Sequence, residues 1–128
     1  MFNPPLFLSG RAIQGFKQGR LLGLPTANID IHHAPDLIQG VYMGYTRVIP
    51  EMVNYPSIIF WGKPHALPAV AQPRLEVHLL KQELDLYDTI LEVTLLSFLR
   101  QNREFPNKEI LENAIQQDLE YALKYFNL

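Results

Sequence analysis

Along the first three quarters of the chain apolar and polar positions change over in short steps, and over the last stretch they settle into a longer period. Segments rich in β-branched, aromatic and Leu residues lie between turn signals and predict strands over Leu6 to Ile13, Ala27 to Ile31, Val41 to Val48, Ser57 to Trp61, Leu75 to Lys81 and Ile90 to Phe98. The clearest alternation starts at Arg74. There Leu75, Val77 and Leu79 alternate with Arg74, Glu76 and His78, so a carboxylate and an imidazole stand on the face away from the apolar one, which is either solvent or a site. Beyond Pro106, Asn107 is a natural N-cap. Leu111, Ile115, Leu119, Ala122 and Phe126 then recur every three or four residues and predict a helix over about 107–126. All ten prolines and seven glycines fall before that helix. The fold class is therefore all-β with a C-terminal helix. Short strands at regular turns favour a closed or nearly closed antiparallel barrel over about 6–98, with the helix covering one end or side.

Composition narrows this reading without changing it. A chain of 128 residues, 48% hydrophobic and 19% charged, with no repeat and no linker, is expected to be one globular domain, 1–128, with one site. A net charge of -2 with scattered Lys and Arg argues against nucleic-acid and membrane-surface partners. The absence of cysteine excludes disulfides and thiolate metal centres. Nothing resembles a secretory signal or a membrane span, so a cytoplasmic protein, and a monomer, is expected.

The stretch from Gly10 to Asn28 holds the densest chemistry. Gly10, Gly15, Gly19 and Gly23 are interleaved with Lys17 and Arg20, and Pro25-Thr26-Ala27-Asn28 follows. Glycines let backbone N–H groups approach a polyphosphate, and Lys17 or Arg20 can balance its charge. The spacing is neither that of a P-loop nor that of a dinucleotide fingerprint, so glycine content alone is equally at home in a hairpin loop. In an extended segment Thr26 and Asn28 point the same way. Their hydroxyl and amide oxygens either ligate a hard cation such as Mg²⁺ or cap a turn.

The run Gly19-Arg20-Leu21-Leu22-Gly23-Leu24-Pro25-Thr26-Ala27-Asn28 resembles the signature of riboflavin kinases, in which a glycine-rich loop leads into Pro-Thr-Ala-Asn. Further blocks agree in order: Gly40-Val41-Tyr42, Leu75-Glu76-Val77-His78-Leu79-Leu80, Asp85-Leu86-Tyr87, and Phe98-Leu99-Arg100 with Phe105 beyond. The resemblance spans about Leu8 to Phe126 and covers the kinase alone, without an adenylyltransferase module. It implies a six-stranded antiparallel, Greek-key-like barrel and transfer of the ATP γ-phosphate to the ribityl 5'-hydroxyl of riboflavin, giving FMN and ADP. It also implies nucleotide contacts at Gly15, Lys17, Gly19, Arg20, Pro25 and Thr26, and Mg²⁺ held with help from Thr26 and Asn28. Glu76 matches the catalytic base, and Arg100 and Phe105 match the segment that closes over the isoalloxazine ring. The expected product is the mononucleotide, since no segment is left over for adenylyl transfer.

Three places depart from the family pattern. Lys17-Gln18 stands where Gly-Arg is common, Phe60-Trp61-Gly62-Lys63-Pro64-His65 replaces a more polar block, and Asp88 occupies a position where Gly is usual, straining the turn if it needs positive φ. These changes define the alternative reading, a flavin- or nucleotide-binding relative that regulates without turnover. Against it, Thr26, Asn28 and Glu76 are all present. His32, His33, His65 and His78 lack metal-site spacing, His78 being read as a supporting or surface group. Trp61 is assigned to packing, and Glu112, Asp118 and Glu120 to a solvated helix face.

Overall fold

The computed structural model describes residues 2–13, 24–63 and 72–128. Its elements are β1 (Leu6–Ile13), β2 (Ala27–Asp30), β3 (Gly40–Val48), β4 (Asn54–Gly62), β5 (Arg74–Leu79), β6 (Ile90–Gln101) and α1 (Lys108–Tyr125). The strands pair antiparallel in the order β1-β2-β5-β4-β3-β6, and β6 returns to β1 to close a barrel. β2 lies beside β5 and β3 beside β6, so the connectivity is not a simple meander. This is the architecture expected from the sequence.

Strand ends differ where local chemistry was ambiguous. β4 begins at Asn54 and runs through Pro56, which was expected to lie outside the strand. Pro56 is tolerated because its partner β5 has already ended there: Leu79 pairs with Ser57, and the Leu80 N–H donates to the Pro56 carbonyl at 2.8 Å. β5 stops at Leu79 and not at Lys81, whose φ of 61° cannot continue a strand. β6 extends past Phe98 to Gln101, pairing Arg100 with Val41 and Gln101 with Gly40.

The barrel interior is filled from every strand by residues such as Ala12, Ile29, Tyr42, Ile59, Val77 and Leu91. A second apolar layer lies outside, where Val41, Met43, Ile58 and Phe60 meet Ile115 and Ala122 of α1. β3 and β4 are thus buried on both faces along part of their length, which is why Val41-Tyr42-Met43 and Ile58-Ile59-Phe60-Trp61 are continuous apolar runs. Trp61 points into the interior cluster, as its assignment to packing required. The β3–β6 approach is close enough that a Cβ at Gly44 would collide with the Thr94 carbonyl. Tyr42, in the interior, donates its hydroxyl to the Ile38 carbonyl at 2.6 Å, and burial raises its phenol above the ordinary tyrosine pKa.

α1 opens as expected. The Asn107 side chain accepts a hydrogen bond from the Ile110 N–H at 2.9 Å, and Leu111, Ile115, Leu119, Ala122 and Phe126 face the barrel.

Asp88 does adopt the left-handed conformation that glycine favours, with φ 63°. An exposed ion pair to Arg11 at 2.9 Å accompanies it. Such a pair contributes about 0–1 kcal/mol, comparable to the strain it offsets. Asp88→Gly is therefore expected to leave urea stability nearly unchanged, whereas Asp88→Ala, which loses the pair and keeps the strain, should be less stable than the Gly variant by about 1 kcal/mol. Equal stability of the two would contradict a positive φ there.

Candidate active site

Strand pairing places Asn28 of β2 directly opposite Glu76 of β5, and Glu76 opposite Phe60 of β4. These three side chains share the outer face, since Leu75 and Val77 on either side of Glu76 belong to the interior cluster. The face was expected to be solvent or an open site. Glu76 is instead fully buried, at 0% exposure, with Asn28 at 6% and Phe60 at 1%. The outer apolar layer that packs under α1 includes Phe60, the cross-strand neighbour of Glu76, and takes in Leu24. Just before β2, the Thr26 hydroxyl donates to Glu76 Oε1 at 3.3 Å. Thr26, Asn28 and Glu76, separated by up to fifty positions in the sequence, are thereby brought together.

Among the described residues, Asn28 Oδ1 is buried with no hydrogen-bond partner. An orphaned buried acceptor is uncommon in a folded protein, and an unbound cation is one of the standard explanations for it. Beside the Thr26 hydroxyl it forms a pair of hard oxygens that fits Mg²⁺. Among the described residues no three His, Cys, Asp or Glu side chains cluster. A cation held by Thr26 and Asn28 would need further oxygens from its ligand or from water.

Thr26 faces a second feature. A cavity of about 740 Å³ lies between Pro25 and Thr26 on one side and Leu84, Asp85 and Tyr87 on the other, floored by Val77 and Leu79. Its volume is in the range of small-molecule sites. His78, on the same face of β5 as Glu76, bonds through Nδ1 to the Pro25 carbonyl at 2.7 Å. It is therefore not a bare surface group.

Arg100 and Phe105 also meet, with the guanidinium 5.6 Å from the ring centroid, and Arg103 approaches the same ring at 4.8 Å. Arg100 is anchored by Asp118 of α1. Arg100 Nε donates to both carboxylate oxygens at 3.0 and 3.1 Å, and Nη2 donates to Oδ2 at 2.7 Å. Asp118 is thus not on a solvated face: it is 5% exposed, whereas Glu112 and Glu120 are exposed as expected. Arg100 lies in the same cross-strand row as Glu76, through Phe60 and Val41. Three strand spacings, roughly 14 Å along the sheet, separate their backbones. Gly15, Lys17, Gly19, Arg20 and the Pro64-His65 part of the altered block lie outside the described residues.

The family model for riboflavin kinase, named Flavokinase, matches residues 2–126. The chain belongs to the riboflavin kinase family. It is 38% identical over 97% of its length to the bifunctional riboflavin kinase/FMN adenylyltransferase of Buchnera aphidicola subsp. Schizaphis graminum, and covers 40% of that protein. The chain spans about two fifths of the length of such curated relatives. Among solved structures, a protein of Streptococcus pneumoniae titled a macrolide-efflux protein superimposes with a TM-score of 0.76 at 24% identity, covering 92% of this chain and 38% of that one. Riboflavin kinase of Trypanosoma brucei does so with a TM-score of 0.68 at 21% identity, covering 94% of this chain and 76% of that one. At these identities the two structures speak for the fold alone.

Within this riboflavin kinase fold, sequence reasoning missed two groups. Asp118 carried a usable signal: it lies three residues after Ile115 and four before Ala122, on the apolar stripe and not opposite it. The cavity wall at Asp85, Leu86 and Tyr87 had been matched as a family block but given no role. Among the described residues no helix is long and apolar enough to cross a membrane.

Proposed function

We propose that the chain is a riboflavin kinase, which transfers the γ-phosphoryl group of ATP to the ribityl 5'-hydroxyl of riboflavin and yields FMN and ADP. One observation carries the reading within this family: Thr26 lines the nucleotide-sized cavity and at the same time reaches Glu76 and neighbours the orphaned Asn28 Oδ1. A phosphate site, a cation site and a base are thereby contiguous, which is what phosphoryl transfer requires.

ATP sits in the cavity beside Pro25 and Thr26, with its triphosphate directed toward Asn28; Gly15, Lys17, Gly19 and Arg20 are the further nucleotide contacts that the family resemblance implies. Thr26 and Asn28 would hold Mg²⁺ together with phosphate oxygens, and the ion would supply charge neutralisation on the transferring group. The ribityl 5'-oxygen forms a bond to the γ-phosphorus as the bond to the β-γ bridging oxygen breaks, and the hydroxyl proton passes to the Glu76 carboxylate. Burial of Glu76 keeps bulk water, the competing phosphoryl acceptor, away from that proton acceptor. Arg100 and Phe105 hold the flavin ring at the start of α1, Phe105 by stacking and Arg100 by its cationic face. The non-catalytic alternative has no observation in its favour, and Thr26, Asn28 and Glu76, the residues this mechanism uses, are present and adjacent. Riboflavin-dependent ADP release from purified protein with ATP and Mg²⁺ tests the reading; no release above the riboflavin-free control would overturn it.

Thr26→Ala and Asn28→Ala are each expected to weaken Mg²⁺-dependent nucleotide binding by about tenfold, since each removes one oxygen from the cation's surroundings. Asn28 Oδ1 has no hydrogen bond to lose, so Asn28→Ala should keep its folding stability within about 1 kcal/mol. Titrations of both variants that match the parent would remove the pair from the cation site.

A further inference from the structure

We infer that His78 is a positioning residue for the nucleotide end of the site: its ring holds the Pro25 carbonyl and so sets Thr26 against Glu76. The inference deepens the proposed function and rests on its assignment of Thr26 and Asn28 to the metal–nucleotide complex.

The β2–β5 ladder begins at Ala27 opposite Val77. One step further out, Thr26 stands across from His78, and there the regular pairing has ended. The next residue, Pro25, has no N–H and cannot be fixed to a neighbouring strand by a backbone donor. Among the described residues, backbone strand pairing thus holds Thr26 on its β2 side only, although its hydroxyl must be placed closely to serve both a cation and Glu76. The side chain of His78 supplies the missing restraint. Its Nδ1 lies 2.7 Å from the Pro25 oxygen, at the short end of N–H···O bonds.

A carbonyl oxygen can only accept, so Nδ1 carries the hydrogen, and in the neutral ring Nε2 is left as the acceptor. His78 and Glu76 stand two residues apart on the same face of β5. One strand thereby grips the Pro25-Thr26 segment at two points: the imidazole takes the carbonyl before Thr26, and the carboxylate takes the Thr26 hydroxyl. The donor has to be at the Nδ1 position. A group carrying its donor further from the backbone would push the segment away from Glu76.

Two amides test this, because the Asn amide nitrogen lies about where Nδ1 lies in His, and the Gln amide nitrogen about where Nε2 lies. Calorimetric titration with Mg²⁺ and a non-hydrolysable ATP analogue, and separately with riboflavin, is made on the parent, His78→Asn, His78→Gln and Asn28→Ala. His78→Gln is expected to weaken the Mg²⁺–analogue complex about tenfold while riboflavin affinity stays within twofold, and His78→Asn is expected to recover most of the loss. In the parent protein, ring ¹⁵N shifts should report hydrogen on Nδ1. Weakening by Asn28→Ala with parent-like binding in His78→Gln would overturn the role of His78 and leave the cation site standing. Parent-like binding in Asn28→Ala would overturn the cation site and the His78 role with it. Equal loss of nucleotide and riboflavin binding in both His78 variants would show a structural residue instead, and a ring with hydrogen on Nε2 alone would exclude the bond outright without any variant.

Discussion

Glu76→Gln is expected to lower turnover by about 10²–10⁴-fold, the range associated with loss of a positioned acid–base group, while riboflavin and Mg²⁺–ATP still bind. The change keeps the shape of the side chain and an oxygen able to accept the Thr26 hydroxyl, but removes the basic charge that the proposed mechanism uses to take the ribityl proton. A loss confined to kcat, with riboflavin affinity measured by flavin fluorescence holding within a few-fold, identifies an interaction made in the transition state. From the sequence alone, the melting temperature would have been expected to stay put, because Glu76 was placed on a face away from the core. Its complete burial reverses that expectation. Replacing a buried, hydrogen-bonded carboxylate should lower stability by about 1–3 kcal/mol, so turnover is compared at a temperature where both proteins are folded. A folded variant that phosphorylates riboflavin within a few-fold of the parent rate would take Glu76 out of the mechanism.

That reversal shows what strand alternation can and cannot tell. The two-residue period of Leu75, Val77 and Leu79 correctly put Glu76 and His78 on the opposite face, and pairing then brought Asn28 beside Glu76. Alternation divides a strand into two faces but says nothing about what lies over the second one. The apolar layer on that side of the barrel is built by Ile58 and Phe60 of the neighbouring strand with Leu24 and the apolar stripe of α1, none of which is local to β5. The apolar runs of β3 and β4 did carry that information, because strands apolar on both faces need a partner outside the barrel as well as inside it.

The site was legible to a different degree in each of its parts. Thr26, Asn28 and Glu76 were found through a motif and an ordered set of blocks, and the fold adds their adjacency, which sequence separation concealed. Arg100 and Phe105 were likewise found, but not the residue that fixes Arg100. Charged side chains on a helix are assigned to solvent by default, and only their angular position argues otherwise. Asp118 lies at the angle of Ile115 and Ala122, so its burial required a cationic partner from the barrel, and Arg100 is that partner.

Asp118→Ala is therefore expected to destabilise the protein by about 2–4 kcal/mol, lowering the melting temperature by roughly 8–16 °C for a chain of this size. Three charge-assisted hydrogen bonds are lost, and the Arg100 guanidinium, whose side chain is only 23% exposed, is left without its counter-charge. The expected loss is below that for a fully buried pair because Arg100 retains some water. Asp118→Asn, which keeps one acceptor oxygen, should lie between the parent and the Ala variant. Much of the loss reflects an uncompensated cation, so it should shrink when the cation is removed as well. In a double-mutant cycle with Arg100→Met, the double variant should be more stable than the sum of the single losses by 1 kcal/mol or more, where independent sites add to within about 0.5 kcal/mol. Additivity within that margin would mean that the two side chains do not depend on each other. A melting temperature for Asp118→Ala within two or three degrees of the parent would mean that the ion pair is not part of what holds α1 to the barrel.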